Sequence, residues 1–156
     1  MSIDQALFRR VLGHWASGVT VVTTAVDGQR HGLTASSFSS LSLDPPLVLV
    51  CLDRRITGYR LVEQAGHFAI NILAEDGEYL SRQFASKNDD KFAGVAFTEG
   101  VLGAPLLDAS LAQIECRLHA VYDGGDHGIF VGAVERMQVR EDKPLLYFRG
   151  GYAALA

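Results

Sequence analysis

The sequence predicts a mainly β chain, an antiparallel β-barrel, closed or split, with peripheral helices. Three observations carry this. Six or seven apolar or alternating runs read as strands, against only two or three segments with helical spacing. Two tight-turn signals, Asp27-Gly28 and the DGGDHG stretch at 123–128, join neighbouring runs as hairpins, which argues against βαβ units. Closing so many strands into a barrel also removes exposed sheet edges.

Residues 3–16 place Leu7, Val11 and Trp15 at helical spacing, with Phe8 and Leu12 beside them and Ser2 or Asp4 near the start. This face serves either as an interface or as ordinary core packing. Residues 18–26 are β-branched and alternating, so they read as a strand, and the Asp27-Gly28 turn sends the chain back through Gln29–Ala35. Pro45-Pro46 breaks regular structure before a fully buried strand at 47–52, and Thr57 caps a short helix running through Glu63. A strand at 67–73 and a helix at 75–86 follow, then a polar loop at 86–95 anchored by Phe92. Residues 112–122 and 128–139 form a long hairpin about the 123–128 turn, and 144–152 is a final strand ending in a glycine pair.

No linker, repeat or low-complexity segment interrupts the 156 residues, so 1–156 is expected to form a single domain with a proper core. The net charge of -4 and the absence of any basic block argue against a nucleic-acid partner. The arginine pairs at 9–10 and 54–55 are read as solvated. Cys51 and Cys116 are too few for a disulfide framework, lack metal-type spacing, and read as buried free thiols. No apolar run approaches the ~18 residues of a membrane span, and MSIDQALFRR lacks a signal-peptide core. A soluble, cytoplasmic protein is expected, with no membrane partner.

The segment GLTASSFSSLS is the conspicuous chemistry. Between Thr34 and Ser42, six of nine residues carry a hydroxyl. Ala35, Phe38 and Leu41 interrupt them, so part of the segment is expected to face inward. Small hydroxyls and their neighbouring amides can approach a flat polar ligand closely. No GxGxxG opens a helix and no Walker motif is present, so a nucleotide held here is not held by a Rossmann crossover.

Taken in order, GLTASSFSSLSLDPPLVLVC, SKNDDKFAGV, DGGDHGIFVGAVE and PLLYFRGGY make the chain resemble the flavin reductase family from about Phe8 to Tyr152. These are the small reductase components of two-component flavin-dependent monooxygenases, with an FMN-binding split-barrel fold. The resemblance implies that Thr34, Ala35, Ser36 and Ser37 lie along the flavin, with Ser39 and Ser40 supporting the loop or reaching its phosphate. It places Cys51, Leu52 and Asp53 at the ring edge and Thr57 and Gly58 at a helix start suited to an anion or ring oxygen. Arg82, Phe84, Ala85, Ser86 and Lys87 would close the other side, Phe84 packing on the flavin and Arg82 and Lys87 meeting phosphate.

The same resemblance puts His127 beside the nicotinamide, with Ser37, Arg149, Gly150, Gly151 and Tyr152 lining that side. His127 is read as sitting in a turn and hydrogen-bonding there; His14, His31, His67 and His119 share no pattern, and no metal is implied. The implied activity is NAD(P)H-dependent flavin reduction, with FMN or FAD and NADH or NADPH, in a homodimer that feeds a separate flavin-dependent oxygenase by diffusible reduced flavin. The absence of an arginine cluster for a 2′-phosphate favours NADH. A non-catalytic flavin-storage module, or a flavin-dependent reductase of a corrinoid or ferric complex, are the competing readings.

Overall fold

Asp27 and Gly28 both take positive φ, 51° and 76°, and so form the two-residue turn whose twist matches its flanking strands. This computed structural model describes residues 2–156. The turn joins β2 (Thr20–Val26) to β3 (Gln29–Ala35) in the expected register, Val26 opposite Gln29. The rest of the main sheet comprises β4 (Phe38–Leu43), β5 (Pro46–Asp53), β6 (His67–Leu73), β9 (Ser110–Gly124) and β10 (His127–Val139). Between them come α2 (Thr57–Ala65), α3 (Glu78–Ala85), and the short pair β7 (Phe97–Glu99) and β8 (Pro105–Leu107). At the termini lie α1 (Gln5–Leu12), β1 (Ser17–Gly18), β11 (Leu145–Phe148) and β12 (Gly151–Ala154).

The seven strands are antiparallel in the order β3-β2-β6-β9-β10-β5-β4. β3 and β4 stand at opposite edges, yet only Ser36 and Ser37 lie between them in the chain. Seven strands span about 29 Å when flat, whereas the step from Ala35 to Phe38 reaches at most roughly 11 Å. The sheet must therefore curl until its two edges meet, without β3 and β4 pairing. The result is a split barrel, as the sequence predicts.

The curled sheet encloses Val22, Val50, Leu52, Phe68, Ile70, Cys116 and Phe130. A second cluster, including Val19, Leu73, Leu80, Phe84, Phe92 and Leu145, packs α3 and the C-terminal hairpin onto the barrel.

Several expectations need correction. The N-terminal helix is shorter than 3–16 and buries none of its residues; Trp15 is 82% exposed, so its apolar face is not core packing. Ala35 and Phe38 do pack against the barrel core, but Leu41 stays 50% exposed because β4 is a strand at the rim. The 47–52 run alternates between buried and half-buried positions instead of being buried throughout. Ile56, not Thr57, caps α2, and no side chain bonds its end. The final segment is a hairpin, β11 and β12, turning at Arg149 and Gly150, whose φ angles are 52° and 78°. β1 extends it to three strands.

Candidate active site at the barrel seam

The hydroxyl row lies where the sheet's two edges meet, and much of it is stitched into the fold. Thr34 Oγ1 donates to the Ser81 carbonyl at 2.6 Å, tying β3 to α3. Ser37 Oγ donates to the Cys51 carbonyl at 2.8 Å and accepts from the Cys51 amide at 3.2 Å, tying the β3–β4 connection to β5. Ser39 Oγ donates to the Ser40 carbonyl. Ser36 and Ser40 are exposed, and their hydroxyls have no partner among the described residues. The row is thus half seam and half open donor set, which the sequence alone does not separate.

Along β5 the peptide groups alternate sides. Cys51 uses its N–H and C=O toward Ser37, Leu52 faces β10 opposite Gly128, and the Asp53 N–H points past the beginning of β4 into the open seam. Leu52 is core, 1% exposed, so neither its side chain nor its paired backbone meets a ligand. Burial pushes the Cys51 thiol above its ordinary value. Arg55 bonds Asp53 through its side chain and its backbone amide, which holds that carboxyl well below the usual carboxylate range.

His127 is the first residue of β10, not a turn residue, because β9 and β10 pair right up to Gly124 and His127. Its other neighbour across the sheet is Asp53. The half-buried imidazole makes a 2.7 Å Nδ1 contact with Asp126 Oδ1.

The opposite wall is α3. Ser81 Oγ shares a 2.7 Å hydrogen bond with the Tyr152 hydroxyl, so Thr34, Ser81 and Tyr152 link β3, α3 and β12. Arg82 pairs with Glu78 at 2.7 Å and lies over the Tyr152 ring, 5.0 Å from its centroid. Tyr152 thus stands against the α3 wall. Phe84 is 1% exposed and meets Phe92 edge-on at 5.0 Å, so it has no open face for a flavin. Ser86 Oγ closes the helix end on the Gln83 carbonyl, while Ala85 and Lys87 remain exposed. Lys91, missed by sequence reasoning, donates to the Phe84 carbonyl at 3.1 Å. Its burial lowers its own pKa, and burial together with the Lys91 charge lowers that of His31.

Gly58 is buried on β3: a Cβ there would stand 2.4 Å from Leu33 Cδ2, so packing rather than ligand approach requires glycine. Thr57 is exposed at the start of α2. Arg149 and Gly150 form the C-terminal turn, where the Arg149 amide donates to the Gly13 carbonyl, docking this turn on the end of α1. The structure therefore joins Ser37, Cys51, Asp53 and His127 on one side of the seam and Thr34, Ser81, Arg82 and Tyr152 on the other, bridged by Ala35 and Ser36. Arg149 and Gly150 stand apart from these contacts. A separate cavity of about 550 Å³ on the far stretch of β9 and β10, lined by Gln113, Glu115 and Arg136, contains none of the predicted residues. No group of three or more metal-ligating side chains occurs among the described residues.

Residues 12–156 match the family described as flavin reductase like domain. The chain belongs to the flavin reductase-like family. It is 44% identical to the reductase subunit HsaB of a flavin-dependent monooxygenase from Rhodococcus jostii, over 99% of this chain and 80% of that one. It is 41% identical to a flavin reductase of Pseudomonas putida, covering 99% and 92%. Its structure superposes with a TM-score of 0.95 on the NADH:FAD oxidoreductase SgcE6 of Streptomyces globisporus C-1027, solved with NAD and FAD fragments, at 36% identity over 98% and 93% of the two chains.

Proposed function

We propose that this flavin reductase uses residues 1–156 as one catalytic unit, oxidising NADH or NADPH, reducing FMN or FAD, and releasing the reduced flavin to a separate flavin-dependent oxygenase. The observation that carries this reading is the seam. Two sheet edges are brought together by Ser36 and Ser37, and the donors left open there are small and neutral. A flavin presents ring carbonyls, ribityl hydroxyls and a phosphate, all of which accept hydrogen bonds. The Ser36 and Ser40 hydroxyls, the backbone between β3 and β4 and the Asp53 N–H fit that set without adding bulk.

When bound together, nicotinamide and flavin supply the hydride transfer from C4 to N5, and the protein supplies binding and orientation. Ser37 fixes the connection against β5. Thr57 at the start of α2 and the amides of Ala85, Ser86 and Lys87 extend the cradle, with Lys87 free to meet phosphate. His127 contacts the nicotinamide, and Arg149, Gly150 and Gly151 receive the rest of the dinucleotide. The α1 face, with Leu7, Phe8, Val11 and Leu12 exposed and Trp15 exposed just beyond it, is covered by a second copy in a homodimer. Among the described residues no helix is long and apolar enough to cross a membrane, and a cytoplasmic location suits exchange with a diffusible flavin pool.

The test is nicotinamide oxidation followed with and without free FMN, FAD or riboflavin. Turnover that requires and saturates with flavin is the expected result; flavin binding without nicotinamide consumption leaves only storage. In His127→Ala, KM for NADH should rise on the order of tenfold while flavin affinity holds. Equal losses of both would remove the proposed role of His127.

A further inference from the structure

Arg54, one of the pair expected to be solvated, makes three hydrogen bonds to one short stretch of chain and a fourth to Tyr59. Its backbone amide donates to the Asp126 carbonyl at 3.0 Å. Its Nε donates to the Gly125 carbonyl at 2.9 Å, and one terminal nitrogen to Asp123 Oδ1 at 2.5 Å. The other terminal nitrogen donates to the Tyr59 hydroxyl at 3.0 Å, and the guanidinium sits 5.6 Å from that ring's centroid. Tyr59 is held in turn: its ring meets Phe130 edge-on at 4.7 Å and covers Gly128, where a Cβ would come within 2.7 Å of the ring. One residue thus fastens the tip of the β9–β10 hairpin to the beginning of α2, and the next residue along that tip is His127.

We propose that Arg54 is a positioning residue for the reductase reaction, which clamps residues 123–126 so that the His127 imidazole is held in place over the seam. This rests on His127 contacting the nicotinamide. The two-residue turn Gly125-Asp126, preceded by Gly124, has little stiffness of its own, and the rigid guanidinium fork supplies it through directed bonds. Arg54 does not touch either substrate; it acts through His127. Small misplacements of a positioning group cost large factors in rate.

A double-mutant cycle tests it. Arg54→Met, which keeps the stem and removes the fork, should lower kcat/KM for NADH about tenfold, mostly through KM, with flavin affinity nearly unchanged. In a His127→Ala background the same substitution should cost almost nothing further, because its target is already gone. Multiplying losses in the double variant, or a fall in flavin affinity matching that for NADH, would show that Arg54 merely holds the fold and would overturn the clamp while leaving His127 in its role. No effect of His127→Ala alone would overturn both. Asp123→Asn, on an exposed rim where folding is not at stake, should shift KM for NADH in the same direction by a smaller factor; an unchanged KM there counts against the clamp. Amide exchange at Gly124, Gly125 and Asp126 should quicken in both variants.

Discussion

Tyr152 shows how much one hydroxyl can carry at this site. Its O–H reaches Ser81, which is 1% exposed and also gives its carbonyl to Thr34. Tyr152→Phe strands a buried hydroxyl, and should cost about 1 to 3 kcal/mol in urea unfolding. Cys116 makes a second residue-level prediction. Burial, with Glu115 adjacent, pushes its thiol from 9.0 up to about 12. Above pH 9 the unfolded chain sheds this proton while the folded chain keeps it. This contribution is therefore intact below pH 9 and is lost at about 1.4 kcal/mol per pH unit as pH climbs toward 12. Comparing urea midpoints of wild type and Cys116→Ala across that range isolates it. The difference between them should shrink as pH rises. Residue roles were the least legible part of the sequence. Arg54 looked solvated because its partners Asp123, Gly125 and Asp126 lie some seventy positions along the chain. Nothing local reveals that the Thr34 and Ser37 hydroxyls donate to the Ser81 and Cys51 carbonyls.

The elements themselves were read with mixed success, for identifiable reasons. β3 and β6 came out to the residue, since alternation and flanking turn signals agree there. β4 was missed because a row of serines has little strand propensity; its pairing with β5 makes it a strand. The C-terminal run was read as one strand because Arg149 is not a usual left-handed residue, yet it takes φ of 52° and folds the run into a hairpin. The resemblance implied that Phe84 packs on the flavin, but its side chain is buried. In fact Phe84 lies against Gly32, where a Cβ would come within 2.6 Å of its ring. It anchors α3 to β3, so Phe84→Ala should cost about 3 to 5 kcal/mol and weaken flavin binding indirectly through the displaced helix. A thermal melt and a flavin titration on the same variant will read both.

At the scale of the whole molecule, the barrel was legible from strand count and hairpins; the resemblance implied its split, and the sheet order gives the split its physical reason. The exposed α1 face also belongs to this scale. If a second copy covers it, Leu12→Glu should shift sedimentation from dimer to monomer while leaving the barrel's spectrum intact, since α1 contributes no buried residue to it. The seam has one more consequence. A sheet that curls without bonding its last strand to its first has a single line along which its circumference can widen. Any molecule lodged across that line is held by both edges at once and so draws them together. For a flavin bound across the seam, retaining the cargo and keeping the wall shut are then one and the same act, and its release frees the β3 and β4 edges from each other.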